Sequence, residues 1–508
     1  MFDKIKRLGT DTAIYGISTI LGRFLNFLLV PFYTNILPPG DYGVVAYVYS
    51  IIAFINVLYS YGMESAYFKY SSSLEIGSAK ENFSTPFLSL LGTSVLFSIV
   101  ISGLAPLIGG LLNLPLKFES VVLYSAAILA LDALAIIPFA SLRMERKAKT
   151  FATIKFLNIV INVGMNIVLL LVFRMGVMGV FVSGLVASGA TLLMLLPTVF
   201  RHLTVKFHTS LWKALLMFGL PYIPSGLSAM AMQVIDRPIL RALTDDATVG
   251  VYQANYRLGI FMMLVVSMYD YAWRPFFFAT AKESDAKNVF ARVLTYLLLF
   301  MATIGLVLTF FIDNIAMVSI FGRHIIGPSY WSGLNIVPVV LFGYVFLGVA
   351  TNLSAGLYIQ KKTQYLPIAT FIGAVVNVVV NFLLIPVCGM TGAAWATFLA
   401  YLAQAAATYV LVQRVYPVRY EGARLIKIAG AAMLVLALYY LIPVARWSPS
   451  FLIHAGWKVG LVVIFLLMMY AMKFFEPREI VLLKRMVARG KAPGHSTPAP
   501  GLPPDGNV

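Results

Sequence analysis

A chain of 508 residues that is 60% hydrophobic and only 11% charged, with mean hydropathy +0.87, is far more apolar than a soluble domain, which is roughly half apolar and a quarter charged. That composition excludes a soluble globular fold, and a net charge of +18 carried mainly between apolar segments is topology signal and leaflet adhesion, not a nucleic-acid footprint. The single cysteine, Cys388, excludes an intrachain disulfide and a cysteine-based metal site.

Apolar segments of about 20 residues, the length that crosses a bilayer, recur along nearly the whole chain. They fall near 13–37, 43–62, 84–112, 120–140, 151–173, 176–200, 214–235, 249–270, 289–312, 332–352, 366–387, 391–413, 424–442 and 453–474. This predicts an all-α polytopic membrane protein with about fourteen transmembrane helices. The run after Lys4, Lys6 and Arg7 is too long for a signal-peptide core, so the first helix is expected to stay as an anchor. Most of the 38 Lys and Arg residues lie at the two termini or in even-numbered connections, which predicts cytoplasmic termini. The tail from Ala492 is rich in Pro and Gly without an apolar face and is expected to be disordered.

On the first helix Thr12, Gly16, Thr19, Arg23 and Asn26 share a face. Gly16 and Thr19 suit a helix-packing seam. Arg23 does not: a charge at the bilayer centre costs at least about 2.5–3.5 kcal/mol, so it is expected to face a watery cavity or a partner. Asp132, in the fourth span, is one such partner; the alternative is a substrate. Asn158, Asn162 and Asn166 line one face of the fifth span, as Asn377 and Asn381 do on the eleventh, and interhelical hydrogen bonds account for them. Pro221 and Pro224 are expected to bend or break the seventh span. Beyond it, Asp236, Arg237 and Arg241 read as an interfacial salt bridge with an anchor, Arg241 above all. Gln253 and Arg257 lie one turn apart inside the eighth span and share a face, and Asp270 and Arg274 flank "YAW" as a cytoplasmic-side pair or gate.

The chain also repeats itself. "NIVINVGMNIVLLLVFRMGVMG" at 158–179 parallels "GAVVNVVVNFLLIPVCGMTG" at 373–392, aligning Asn162 and Asn166 with Asn377 and Asn381, and Gly176 and Gly179 with Gly389 and Gly392. Pro31 falls on Pro238 and Gly43 on Gly250. The offset is six spans, an even number, so the halves are parallel repeats: lobes 1–209 and 210–417, then two helices over 418–475 and a tail over 476–508. Such paired bundles form a common transporter plan with the substrate path between them. No paired carboxylates, HExxH, Gly-rich phosphate loop or long outer loop is present, so neither catalysis nor a cofactor is expected.

"GRFLNFLLVPFYTNILPPGDYGVVAY" at 22–47, "DRPILRALTDDATVGVYQANYRLG" at 236–259, "YAWRPFFF" at 271–278 and "NVVVNFLLIPVCGMTGAAWAT" at 377–397 resemble the polysaccharide-transport, O-antigen-flippase branch of the multidrug/oligosaccharidyl-lipid/polysaccharide exporter superfamily. The resemblance runs from about residue 10 to 475. It implies a bacterial inner-membrane location and outward movement of a polyprenyl-pyrophosphate-linked oligosaccharide, with membrane lipids and other polysaccharide-assembly membrane proteins as partners. Related lipid II flippases carry a first-helix arginine that lines a cationic cavity, and Arg23 matches it by place in the helix. Arginine's planar fork suits a pyrophosphate linker, which makes Arg23, Asn26, Gln253 and Arg257 the expected substrate contacts. Asp132, Asp236, Arg237, Asp270 and Arg274 are the expected coupling or gating groups. Competing expectations are a multidrug-type antiporter and a membrane-embedded glycan polymerase or transferase.

Overall fold

The structure, a computed structural model, describes residues 27–320, 322–442 and 450–476. These residues are nearly all helical, apart from a two-residue β-ribbon pairing Ser319–Ile320 with Arg323–His324. Twelve helices are long and apolar enough to cross a membrane, or thirteen when the bent pair Thr209–Gly219 and Tyr222–Val234 is one span. Of the expected first span only the Leu29–Ile36 helix falls within the described residues, so they do not settle the count of fourteen.

Local chemistry sets the boundaries. Pro39 starts the second span, where its missing N–H costs nothing. The third span opens with a capping box: Ser78 accepts from the Glu81 amide, and Glu81 accepts from the Ser78 amide at 2.8 Å. The seventh span breaks at Leu220–Pro221 with a bend of 42°, as its prolines predict. The eighth is longer than expected, running from Asp246 to Thr280 through a 3₁₀ turn at Arg257–Gly259.

The sequence repeat has a physical counterpart. Asn166 donates its amide to the Asn162 carbonyl at 2.9 Å and side-chain oxygen at 2.7 Å, and Asn381 does the same to Asn377 at 2.8 and 2.5 Å. These bonds run along one helix, not between helices as expected. Only Asn158, which donates to Thr191 at 2.8 Å, and Asn166, which accepts from Tyr33 at 2.9 Å, reach across. The repeat-matched glycines face each other where the Pro39–Ser60 and Asp246–Tyr256 helices cross. A Cβ on Gly43 would fall on the Asp246 carbonyl, and one on Gly250 on the Pro39 carbonyl.

That crossing lies at one end of the bundle, where other bonds also join the two halves. The Gly327 amide donates to Thr34 Oγ at 3.0 Å, Tyr330 donates to the Leu37 carbonyl at 2.8 Å, and Asn35 donates to the His324 carbonyl at 2.7 Å. Arg241 donates to the carbonyls of Leu112 at 2.6 Å and Asn113 at 2.9 Å, pairs with Asp246, and lies over the Tyr47 ring at 4.1 Å. Arg241 thus ties the two halves together. The residues to Tyr420 form one compact unit and those from Glu421 a second. In the second, the Gly422–Leu441 and Phe451–Ala471 helices are pinned at one end by Arg424, which pairs with Glu421 and Glu476, and by Lys427, which donates to the Met472 carbonyl at 2.7 Å.

Candidate functional site

Behind the closed end the first unit holds a cavity of about 870 Å³. It runs from Tyr42 and Arg237, near the glycine crossing, to Asp270, Arg274 and Tyr358 toward the opposite end. Its wall draws on the Leu29–Ile36, Pro39–Ser60, Tyr222–Val234, Asp246–Tyr256, Ile260–Thr280, Val337–Leu353 and Met390–Val415 helices.

Arg257 stands at the 3₁₀ turn that interrupts the eighth span. The turn fits because Gly259 has no side chain: a Cβ there would come within 2.6 Å of Val340 Cγ1 and 3.2 Å of the Tyr344 ring. Arg257 is exposed to the cavity and, among the described residues, makes no hydrogen bond or ion pair. Tyr256, on the turn before it, accepts from the Tyr344 hydroxyl at 3.2 Å.

The other charges here are committed. Asp236 and Arg237 form the expected salt bridge, and at 2% and 5% exposed the pair is buried in the cavity wall. Asp236 accepts from the Arg237 amide at 3.0 Å and guanidinium at 2.5 Å, and from the Tyr252 hydroxyl. Arg237 also donates to the Gln233 carbonyl at 2.5 Å and to Gln253 Oε1 at 3.0 Å, with its guanidinium 4.2 Å from the Tyr256 ring centre. Gln253 therefore shares a face with Arg257, but its carbonyl oxygen holds Arg237. At the far mouth Arg274 makes a two-point contact with Asp270, at 3.0 and 2.9 Å, and its side chain is 55% exposed.

Gln253, Arg257, Arg237, Asp270 and Arg274 thus meet at one cavity, with Asp236 behind its wall. Asp132 is elsewhere: it accepts from Ser188 at 2.7 Å, between the Ser120–Met144 and Gly176–His202 helices. Arg23 and Asn26 lie outside the described residues, as does any contact between Arg23 and Asp132. Sequence reasoning missed the tyrosines. Tyr33, Tyr42, Tyr49, Tyr256, Tyr344, Tyr358 and Tyr401 all line the cavity, and in the sequence they read as ordinary members of apolar helices. The spacing of Tyr252 and Tyr256 was the one local signal, since residues four apart share a face.

A nearly all-helical bundle of apolar spans around a central cavity defines a multi-pass membrane protein. The chain belongs to the polysaccharide biosynthesis protein family, whose model matches residues 8–281. It is 20% identical over 400 residues to Lsg locus putative protein 1 of Haemophilus influenzae, covering 72% of this chain and 94% of that one. Its fold is similar to that of a solved structure of lipid II flippase MurJ, described as an inward closed conformation, with TM-score 0.72 at 16% identity over 90% of this chain and 99% of the other. The inward-facing conformation of a multidrug resistance MATE family transporter of the MOP superfamily gives TM-score 0.61 at 14% identity, over 77% and 94% of the two chains.

Proposed function

We propose that the protein is an inner-membrane flippase that carries a polyprenyl-pyrophosphate-linked oligosaccharide from cytoplasm to periplasm for surface polysaccharide assembly, O-antigen type included. One observation carries this reading: Arg257 presents to a central cavity a guanidinium that makes no hydrogen bond or ion pair among the described residues. A fixed cation inside a membrane protein is costly unless it serves a ligand, and guanidinium pairs with phosphate oxygens in a planar fork. The glycan fills the cavity while the prenyl chain stays in lipid. Arg23 and Asn26 belong to the same binding surface in this reading.

With both termini cytoplasmic, the closed end with its glycine crossing faces the periplasm and the Asp270–Arg274 mouth faces the cytoplasm. Lobes 1–209 and 210–417 then rock about the cavity, with Asp236, Arg237, Asp270 and Arg274 as gating groups and Asp132 as a separate coupling candidate. No catalytic role is assigned, and other polysaccharide-assembly membrane proteins are partners in the cell. The MATE-like fold supports a second reading, a small-molecule antiporter. An unpaired arginine in the cavity counts against the organic cations that such a carrier would take.

Outward movement of a labelled polyprenyl-pyrophosphate oligosaccharide in proteoliposomes tests the proposal. Native protein is expected to move the lipid, Arg257→Lys to retain part of the rate, and Arg257→Ala to lose it. Equal rates for all three proteins would remove the clamp; no movement by any would remove the substrate class.

A further inference from the structure

The charges of the cavity wall cancel in pairs. Arg237 is neutralised by Asp236 and Arg274 by Asp270, leaving Arg257 as the one wall cation without a carboxylate among the described residues. If Arg257 and, in the reading above, Arg23 hold a pyrophosphate, the linker's own negative charge already uses both guanidiniums. The remaining wall is neutral: aliphatic side chains such as Val45, Met232 and Leu347 lie among tyrosine rings, hydroxyls and amides. Tyr344 and Tyr401 pack with centroids 5.6 Å apart. Gln404 donates its amide to Thr370 at 3.1 Å, while its carbonyl oxygen has no donor among the described residues.

Resting on the flippase reading above, we propose that this cavity selects an uncharged oligosaccharide and discriminates against glycans bearing carboxylates. Sugar hydroxyls both donate and accept, so they suit a wall of hydroxyls and amides, whereas a carboxylate only accepts. The C–H faces of a pyranose pack on tyrosine rings as other apolar groups do. With Arg257 and Arg23 taken up by the linker in this reading, an acidic sugar entering the wall would lose its hydration with no further free cation among the described residues to replace it, and buried charge without a partner is heavily penalised. The discrimination is by the unmet charge, in the way sites with unpaired polar groups reject near-isosteres.

The test compares two probes in proteoliposomes: a prenyl pyrophosphate carrying two neutral hexoses, and the same lipid with the outer hexose replaced by a hexuronic acid. Native protein is expected to move the neutral lipid at least about tenfold faster than the acidic one. Asp270→Asn, at the exposed mouth, releases Arg274 and is expected to narrow that ratio; Asp236→Asn releases Arg237 and provides a second reading of the same effect. Equal or faster movement of the acidic lipid by native protein overturns the selectivity while leaving the flippase reading intact. A ratio that Asp270→Asn and a folded Asp236→Asn both leave unchanged overturns the charge-cancellation argument. Movement of neither lipid overturns the flippase reading and the selectivity with it.

Discussion

Two arginines in the same cavity illustrate how context assigns work to a residue. Arg237 is buried and fully engaged, so its role is to hold the wall together. Arg257 is exposed to the cavity and makes no hydrogen bond or ion pair among the described residues, which is the ground on which a ligand is proposed for it. Stability should separate them. Removing one member of a buried ion pair leaves an uncompensated charge, and Asp236→Ala is expected to destabilise by about 3–5 kcal/mol. Arg257→Gln, which removes no contact within the described wall, should stay within about 0.5 kcal/mol of native. Thermal unfolding of the detergent-solubilised proteins measures both.

Glu145 offers a pH test outside the membrane. It follows the Ser120–Met144 helix, and burial alone would raise its pKa; hydrogen bonding and charge from Lys147, the charge of His202 and a bond from Ser141 outweigh burial and hold it below the usual carboxylate range. A carboxyl depressed in the folded state adds stability above its unfolded pKa, and that contribution is lost as pH falls through the folded value. The stability gap between native protein and Glu145→Gln is therefore expected to be full at neutral pH and to close on acidification, read by melting at a series of pH values.

Among elements, the crossing of the Pro39–Ser60 and Asp246–Tyr256 helices is where close approach is most demanding. Each glycine lets a backbone carbonyl of the other helix occupy the space of its own missing Cβ. Any larger residue must push the helices apart, because backbone atoms on both sides have no rotamer to change. Gly43→Val or Gly250→Val should hold this end open, which is measured as faster thiol labelling of a cysteine introduced at Tyr42 in a protein whose Cys388 has been replaced. Unchanged labelling would mean the end opens elsewhere. The broken seventh span is the complementary device. Its Thr209–Gly219 segment packs on the Met63–Ser73 helix, while Tyr222–Val234 packs on Tyr365–Cys388, and the proline step between them lets the segments follow different partners.

On the scale of the whole molecule, the proposed outward movement of an anionic lipid would be linked to the membrane potential. With the cytoplasm negative, each charge that crosses fully gains about 2.3 kcal/mol per 100 mV. An imposed inside-negative potential should accelerate outward movement in oriented proteoliposomes, and transport that ignores both its size and its sign would show that charge is compensated during the step. Removing only the pH gradient then isolates a proton's contribution, for which Asp132, bonded to Ser188 away from the cavity, is a candidate site.

The sequence by itself determined the class, the helical spans, their punctuation and the repeat, because twenty-residue apolarity, proline geometry and helical spacing are local properties. It also marked Arg257 and Gln253 as sharing a face, which follows from a four-residue step alone. Tertiary structure decided which charges were spent. Asp236 and Arg237 read as interfacial until packing placed them in the cavity wall. The asparagine pairs read as interhelical; packing closes their mutual bonds along one helix, while Asn166 also accepts across from Tyr33. The cavity tyrosines were invisible, since a tyrosine facing a polar space and one facing lipid have the same neighbours in sequence. Which side chains meet across helices, and which cation is left without a partner, depends on distances between segments hundreds of residues apart, and those are fixed only when the helices pack.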